Sequence, residues 1–379
     1  MKGSTEGLKN EAGRAALEKG QGRSDKALSD ALKNETLRLL KREGALSLKG
    51  KLKKMLGRGT EPDPVRWPAG MLMLGLFESG EYEEVESRMK KWLDTGGEIR
   101  SPEDLLAMQV FMDMCEKFPE CGSRERISEK VRDFLEAWPR DTEGAIIYNR
   151  NDALKRVFAD GIGMCCPVLS GIAPGLSTGQ IGRFLEHCTD RDTGLPCHAY
   201  SVSAEGAGGH TTPEKLSSSQ DIVNDTDPGQ PKNAHIKTYG PGGWGRACGW
   251  VLMGIAGACV RSGDGDREKL REMYERAAAP VRARVREDGL WGSFLCEKDS
   301  HTDTSASAMI LYSEALMGQD VSAGTGALKK YVTPEGRVLS AQGECRDAGD
   351  YSEEYGSYPW SVGMTLALFG IAQRKEGTV

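Results

Sequence analysis

The 379-residue chain lacks the charge excess that several classes of protein require. Its 50 Lys and Arg stand against 56 Asp and Glu, which gives a formal net charge of −6 at pH 7. A protein that binds nucleic acid regardless of sequence needs a basic face, and a polybasic membrane dock needs a basic cluster. No nucleic-acid partner and no membrane partner is therefore expected.

Long apolar runs and an apolar leader are also missing. The first 20 residues are polar, and the longest uncharged run, at 161–182, is broken by Pro167, Pro174 and a polar stretch. Such a run is too patchy to face lipid. Ten cysteines are too few for a disulfide scaffold in a chain of this length, and several lie in apolar stretches. We expect a cytoplasmic protein with reduced cysteines.

Motifs of metal and nucleotide sites are scarce. No GxxxxGK[ST] phosphate loop and no HExxH zinc motif occurs. His187, Cys188, Cys197 and His198 lie close in sequence but lack the spacing of zinc ligands. The sequence therefore predicts no bound metal and does not support a nucleotide-binding fold.

The chain does contain two kinds of helical segment. Six segments are apolar on every face and rich in small residues, at 67–77, 104–114, 160–172, 244–260, 303–316 and 360–373. Four others are amphipathic, at 28–39, 85–93, 127–138 and 270–281, and weaker ones lie at 177–188 and 322–332. A helix without a polar face must be buried on every side, whereas an amphipathic helix covers a core with one face.

This alternation predicts a closed ring in which six outer helices shield six inner ones. The expected fold class is all-α, an (α/α)6 barrel of six helical hairpins forming a single domain over residues 24–379. Residues 1–23 show no sustained apolar period and are expected to be a flexible lead-in. An open solenoid is the competing arrangement, but the segments show no fixed repeat of the tetratricopeptide kind.

Polar and aromatic residues stand at the start of five inner segments, and these are Asp104, Asp160, Trp244 with Arg246, Asp303 and Trp360. If the inner helices run the same way, their N-terminal ends meet at one mouth that favours an anionic ligand. Plainer roles are open for each: an aspartate caps the helix, a tryptophan packs, and Arg246 pairs with a structural partner. From the residues alone, the chain is a helical toroid with a mouth suited to an anionic sugar.

Five motifs occur in a particular order along the chain: Asp160-Gly-Ile-Gly-Met-Cys-Cys-Pro167, Thr193-Gly-Leu-Pro-Cys-His198-Ala-Tyr200, Trp244-Gly-Arg246-Ala-Cys-Gly-Trp250, Ser305-Ala-Ser-Ala-Met309 and Tyr358-Pro-Trp360-Ser-Val-Gly363. In this order they resemble the unsaturated glucuronyl and unsaturated rhamnogalacturonyl hydrolases of glycoside hydrolase families 88 and 105. The resemblance covers roughly residues 60 to 375, and the family has the (α/α)6 barrel that the helical pattern also predicts.

The resemblance implies a reaction and a substrate. The family acts on oligosaccharides left by polysaccharide lyases, whose terminal uronic acid carries a C4=C5 double bond. Hydrolysis proceeds by hydration of this vinyl ether: an aspartate protonates C4, water adds at C5, and the hemiketal opens to release the next sugar. The rhamnogalacturonyl type is favoured, and no metal or organic cofactor is required.

The resemblance also assigns roles to individual residues. Asp160 matches the general acid and base. A second family aspartate aligns with Asp104 or, one residue earlier, with Glu103. His198 matches a motif histidine placed to bond the sugar hydroxyls or the reacting centre. Arg246 and Trp250 match residues that hold the uronate carboxylate and stack on its ring. Trp244, Asp303 and Trp360 are further candidate substrate-binding residues at the mouth.

Two features depart from the family pattern. Ser201 stands where the family commonly has an acidic residue, and a long Gly-, Ser- and Asp-rich insertion spans about 201–238. This insertion is interpreted as a lid, a partner-contacting loop or a plain surface insertion. Because of these departures, a non-catalytic carbohydrate-binding toroid and an (α/α)6 hydrolase of saturated sugars stay open as alternatives. The oligomeric state is left undetermined.

Overall fold

The computed structural model describes residues 24–43, 64–204, 221–222 and 234–375. The predicted lead-in at 1–23 and most of the insertion lie outside these residues. The described residues contain twelve α-helices: α1 (Asp25–Glu43), α2 (Trp67–Glu78), α3 (Tyr82–Asp94), α4 (Leu105–Lys117), α5 (Arg124–Ala137), α6 (Ala159–Ile172), α7 (Pro174–His187), α8 (Gly245–Arg261), α9 (Asp264–Arg282), α10 (Thr304–Leu316), α11 (Ser322–Lys329) and α12 (Pro359–Lys375). No described helix is long and apolar enough to cross a membrane.

The even-numbered helices form the inner ring. They are the six apolar segments of the sequence, and each packs against the next, from α2 through α4, α6, α8 and α10 to α12. Helix α12 then packs against α2, which closes the ring. The odd-numbered helices are the six amphipathic segments and pack around the outside. The predicted (α/α)6 barrel is therefore confirmed, and the open solenoid is excluded by the contact between α12 and α2.

Glycines on the inner helices let neighbouring backbones approach closely. A Cβ atom at Gly75 of α2 would lie 2.5 Å from the carbonyl oxygen of Gly363 on α12. A Cβ atom at Gly363 would lie 2.4 Å from the carbonyl oxygen of Met71. Real Cβ atoms do not approach a carbonyl oxygen this closely, so the closure of the ring at this point depends on the two glycines.

The C-terminal ends of the inner helices are closed by charged side chains. Glu78, at the end of α2, accepts hydrogen bonds from Tyr312 of α10 and Arg374 of α12. Asp113 of α4 forms an ion pair with Arg261 at the end of α8. Buried charges in contact with opposite charges and donors are tolerated in a core, whereas single ones are not. This plugged end leaves the N-terminal ends of the inner helices as the accessible mouth.

The all-α prediction describes the ring but misses short strands at the mouth. The strands are β1 (Val157–Phe158), β2 (Ala199–Ala204), β3 (Asp221–Ile222), β4 (Ala234–Tyr239), β5 (Ala341–Gln342) and β6 (Tyr355–Gly356). An antiparallel sheet has the order β1–β2–β4–β3, and β5 pairs with β6. Strands β2 and β4 pair from Ala199 opposite Tyr239 to Ala204 opposite Ala234, so both ends of the predicted insertion form a ribbon rather than a loop.

The segment that joins β4 to α8 has glycines at G-x-G-x-x-G spacing, at Gly240, Gly242 and Gly245. A dinucleotide fingerprint needs this pattern within a strand–helix–strand unit of parallel strands. Here β4 is antiparallel to β2 and belongs to no such unit. Gly240 has a positive φ of 76°, which makes the turn into α8. The pattern does follow a strand, but it serves the turn and forms no dinucleotide fingerprint.

Candidate active site

A cavity of about 360 Å³ opens at the N-terminal ends of α2, α4 and α6, and we call it the inner cavity. It is lined by Arg66, Trp67, Glu103, Tyr148, Asn149, Asp152, Arg156, Phe158, Asp160, His198, Glu344, Cys345, Arg346 and Asp347. A larger cavity of about 690 Å³ adjoins it, and the two share Glu344 and Arg346 in their linings. We call this second space the outer cavity, and its remaining lining comes from residues 343, 350–354, 358 and 360.

Asp160 and His198 form a hydrogen-bonded pair in the inner cavity. Asp160 lies in the first turn of α6, and its Oδ2 atom is 2.9 Å from Nε2 of His198, which immediately precedes β2. The backbone reinforces this arrangement because the N–H of Ala159 donates to the carbonyl of His198 at 2.8 Å. The Asp160 side chain is 13% exposed, so it can reach a molecule in the cavity.

Aromatic rings fix the orientation of the His198 imidazole. The imidazole is 1% exposed and packs against the rings of Trp244 at 4.4 Å, Phe158 at 5.2 Å and Tyr351 at 5.6 Å between centroids. A side chain enclosed in this way has few accessible rotamers. His198 therefore holds the carboxylate of Asp160 in one position.

Glu103, rather than Asp104, faces the inner cavity. One Glu103 carboxylate oxygen accepts a hydrogen bond from the Tyr148 hydroxyl at 3.1 Å, and the other accepts one from Nε of Arg66 at 2.8 Å. Asp104 is fully buried, does not line the cavity, and accepts a hydrogen bond from the backbone N–H of Arg100 at 2.7 Å. The difference arises because residues 102–104 form a 3-10 turn before α4, which directs neighbouring side chains apart.

Tyr148 lines the inner cavity close to the charges of Glu103 and Asp160. Burial raises the pKa of its phenol well above the usual value, and the charges of Glu103 and Asp160 raise it further. The phenol is therefore a hydrogen-bond donor at all ordinary pH values and not a base. Its proton is directed to Glu103.

Arg156 brings a partly buried positive charge to the same space. Its guanidinium bonds Asp152 at 2.7 Å and Asp347 at 2.8 Å, and lies 5.1 Å from the ring centroid of Phe158. Burial lowers the pKa of Arg156, but the hydrogen bonds to both aspartates outweigh this and raise the pKa overall. The side chain is 15% exposed and remains charged.

Arg246 lies beneath the cavities and not in their linings. Its two terminal nitrogens donate to the backbone carbonyls of Gln342 at 2.6 Å and Gly343 at 2.7 Å. The guanidinium also lies 4.7 Å from the ring of Trp244, and one nitrogen is 3.9 Å from Asp303. These contacts hold residues 342–343 in place. The residues that line both cavities, Glu344 and Arg346, follow directly in the chain.

The remaining four predicted residues occupy four different places. Trp244 is fully buried, donates to the side chain of Gln342, and packs behind His198. Trp250 is buried in the core of α8 and makes an edge contact with Trp67. Asp303 is fully buried and caps α10 by accepting from the backbone N–H of Ser305. Trp360 lines the outer cavity.

Several lining residues were missed by sequence reasoning because they lie on connecting segments. Tyr148 and Arg156 lie between α5 and α6, and Tyr351 and the 343–347 segment lie between α11 and α12. Connecting segments have no periodic pattern of buried residues, so their lining residues cannot be predicted from hydrophobic periodicity. The arginine and tyrosine content of these connections is the only sequence signal that they offer.

Ser201 is buried and does not line either cavity. It lies on β2, and its hydroxyl is 3.0 Å from that of Tyr239 on β4. At this position the serine ties the two strands together.

Comparisons with known proteins agree with this architecture. Residues 229–372 match the family model of Glycosyl Hydrolase Family 88. No curated protein matches the chain. A possible member of the GH105 family from Klebsiella pneumoniae subsp. pneumoniae MGH 78578 has 15% identity and a TM-score of 0.72, over 94% of this chain and 95% of that one.

An unsaturated glucuronyl hydrolase from Bacillus sp. GL1, responsible for the degradation of glycosaminoglycan, has 18% identity and a TM-score of 0.61. The similarity covers 93% of this chain and 97% of that one. At these identities the solved structures establish the fold, and the family model adds the evidence of sequence. Together they confirm that the chain resembles glycoside hydrolase families 88 and 105, as the motifs indicated.

Proposed function

We propose that the protein removes a 4,5-unsaturated uronic acid from the non-reducing end of lyase-derived oligosaccharides. The observation that carries this proposal is the Asp160–His198 pair, partly exposed in a cavity that also contains Glu103 and Arg156. A fixed carboxyl group with an adjacent imidazole provides the proton transfer that hydration of a vinyl ether needs. The related proteins described above support the same class of substrate.

Asp160 acts first as acid and then as base. Its carboxyl proton is transferred to C4 of the unsaturated ring, and positive charge develops at C5 and the ring oxygen. The carboxylate left on Asp160 then accepts a proton from the water that adds to C5, so the group ends the cycle protonated as it began. The hemiketal opens by breaking the bond between C5 and the ring oxygen, which leaves a ketone at C5 and a hemiacetal at C1. Collapse of this hemiacetal to the aldehyde releases the leaving sugar with its hydroxyl group.

Glu103 takes the place that the sequence assigned to Asp104. Its carboxylate is bonded to Arg66 and Tyr148 and lines the cavity. A negative charge held in this position favours the positive charge that develops at C5. Glu103 therefore stabilises the transition state, and Asp104 supports the turn on which Glu103 stands.

Arg156 takes the place that the sequence assigned to Arg246 as the partner of the uronate carboxylate. Its guanidinium is in the cavity lining, whereas the terminal nitrogens of Arg246 donate hydrogen bonds to backbone carbonyls. The hydrogen bonds of Arg156 to Asp152 and Asp347 use Nε and Nη1, so among the described residues Nη2 is left to donate to the uronate carboxylate. Arg246, Trp244 and Trp250 then act as support beneath the site.

The finer assignment is to the rhamnogalacturonyl type, with a glucuronyl substrate as the alternative. It is supported by the order of the sequence motifs.

The ten cysteines are all free thiols in the structure, which supports a reduced, cytoplasmic location.

The direct test follows the ultraviolet absorbance of the conjugated double bond. Purified protein should abolish this absorbance in unsaturated disaccharides prepared from pectin, chondroitin, heparin or ulvan. The Asp160→Asn variant should fold normally and lose about 10²- to 10⁴-fold in kcat, because one acid–base group contributes that much. Wild-type activity in this variant would show that Asp160 is not the proton donor. Saturable sugar binding without turnover would favour a non-catalytic toroid, and turnover of saturated substrates alone would favour another hydrolase.

A further inference from the structure

We propose that the outer cavity is the subsite for the leaving sugar, with Tyr358 as its stacking surface, and that it selects uncharged leaving sugars. This inference rests on the proposed function, since a leaving sugar exists only if a glycosidic bond is cleaved next to Asp160. The outer cavity adjoins the inner one through Glu344 and Arg346. A sugar attached to a ring bound beside Asp160 can therefore extend into it.

The aromatic side of the outer cavity is built for a flat apolar face. Tyr358 and Trp360 stack in parallel, with centroids 4.6 Å apart and an interplanar angle of 1°. Trp360 is buried and packs in turn against Trp67, with centroids 5.0 Å apart and an interplanar angle of 39°. Only Tyr358 of this stack is partly exposed. The buried rings hold the Tyr358 ring in place, so little freedom is lost when a sugar stacks on it.

The polar side of the outer cavity carries mostly negative charge. Glu344, Asp350, Glu353 and Glu354 line it, and among the described residues of this lining Arg346 is the single cation. Arg346 lies 3.9 Å from Asp350, and Glu344 bonds Arg66 at 3.0 Å. Within the part of the chain that the structure describes, Glu353 and Glu354 form no salt bridge. Their charges therefore act on whatever enters the cavity.

This distribution of charge discriminates among leaving sugars. A neutral deoxy sugar or an unsulfated amino sugar meets a stacking ring and hydrogen-bond acceptors. A sulfated sugar or a second uronate meets like charges, and such juxtaposition is strongly unfavourable at an interface. Because the glutamates are exposed, salt should weaken this discrimination.

The first experiment separates the subsite from the catalytic step. It compares the methyl glycoside of the 4,5-unsaturated uronic acid, which has no leaving sugar, with unsaturated disaccharides that have neutral leaving sugars. In the Tyr358→Ala variant we expect kcat/KM for the disaccharide to fall roughly fivefold to tenfold, in line with the loss of one aromatic contact. The value for the methyl glycoside should stay within twofold, and Tyr358→Phe should behave as wild type.

The second experiment measures the selection of charge. Wild-type protein is given the unsulfated and the 6-sulfated unsaturated disaccharides of chondroitin, and kcat/KM for the sulfated one should be at least tenfold lower. In the Glu353→Gln/Glu354→Gln double variant, the ratio of kcat/KM for the unsulfated disaccharide to kcat/KM for the sulfated one should fall severalfold. The activity of this variant on the methyl glycoside should stay unchanged. Raising the salt concentration should narrow the wild-type ratio in the same direction.

The outcomes are distinguishable. If the methyl glycoside and all the disaccharides are inert, the proposed function is wrong, and the subsite fails with it. If the methyl glycoside turns over but Tyr358→Ala affects both substrates equally, the subsite is overturned and the proposed function stands. If the sulfated and unsulfated disaccharides react alike in the wild type, or neither of them reacts while neutral-sugar disaccharides do, the carboxylates do not set selectivity by charge.

Discussion

At the scale of single residues, Glu103 and Asp104 offer a matched pair. The two carboxylates are adjacent in sequence, but only Glu103 lines the inner cavity, while Asp104 is buried beneath the turn. We expect Glu103→Gln to lower kcat about 10²-fold, because charge stabilisation of this kind is lost with the carboxylate. Asp104→Asn should keep kcat within severalfold, since an amide oxygen can still accept from the N–H of Arg100.

The measurement is the rate of ultraviolet depletion, with the thermal unfolding midpoint as control. Unfolding midpoints near that of the wild type would show that both variants are folded. A larger loss of kcat in Asp104→Asn than in Glu103→Gln would contradict the assignment and restore the one made from sequence.

Two arginines should separate binding from stability. Arg156→Lys should raise KM roughly tenfold with little change in kcat, because a point charge replaces a planar guanidinium whose Nη2 can still donate to the uronate carboxylate. Arg246→Lys should instead lower the free energy of unfolding by about 2–4 kcal/mol, because buried carbonyls of residues 342 and 343 lose their donors. Steady-state kinetics and urea unfolding measure the two effects. A raised KM with unchanged stability in Arg246→Lys would return the carboxylate-binding role to Arg246.

At the scale of helices, the contact between α2 and α12 depends on glycine. Gly363→Ala should lower the free energy of unfolding by about 1–3 kcal/mol, because the new methyl group would overlap a carbonyl of α2 and force the helices apart. Gly171→Ala in α6 is the matched control, since nothing lies within 4 Å of a Cβ there. That control should be neutral or stabilising by up to about 1 kcal/mol, in line with helix propensity.

Urea unfolding, followed by circular dichroism, provides both values. Equal effects of the two alanines would show that the ring is not closed by direct backbone contact at this point.

At the scale of the whole molecule, buried thiols should make the fold sensitive to alkali. Burial raises the pKa of Cys166 and Cys197 to about 12, and it also raises the pKa values of Cys165, Cys188 and Cys248. A thiol in the unfolded chain has a pKa of about 8.5. Above that pH the unfolded state binds fewer protons than the folded one, so the free energy of unfolding must fall as pH rises.

Each such thiol contributes a slope of about 1.4 kcal/mol per pH unit between its unfolded and folded pKa values. Stability should therefore be level below about pH 8 and should decline through pH 9 and 10. The measurement is urea unfolding at each pH. Cys166→Ala should reduce the fall in the free energy of unfolding by about 1.4 kcal/mol per pH unit, which is the contribution of one thiol. A free energy of unfolding that stays constant up to pH 10 would show that the buried thiols ionise freely in the folded protein.

The helical pattern of the sequence predicts the ring of helices but not the structure of its mouth. The buried and amphipathic segments could be identified from periodicity because each helix repeats its burial pattern every 3.6 residues, and all twelve appear in the structure. The short strands could not, because two-residue strands such as β1 have no period to detect. Asp160 and His198 were found through motifs, and the fold places them 2.9 Å apart across 38 residues of chain.

The amino-acid sequence by itself determined the number of helices, their order and the residues that each one buries, since these depend on local periodicity and on the cost of exposing apolar surface. Only the tertiary structure decided that Glu103 and not Asp104 faces the cavity, and that Arg246 bonds the backbone while Arg156 stands in the lining. A side chain's direction at a helix start or in a connection depends on the segments that pack against it. Those segments lie far away in sequence, so no local pattern records the result.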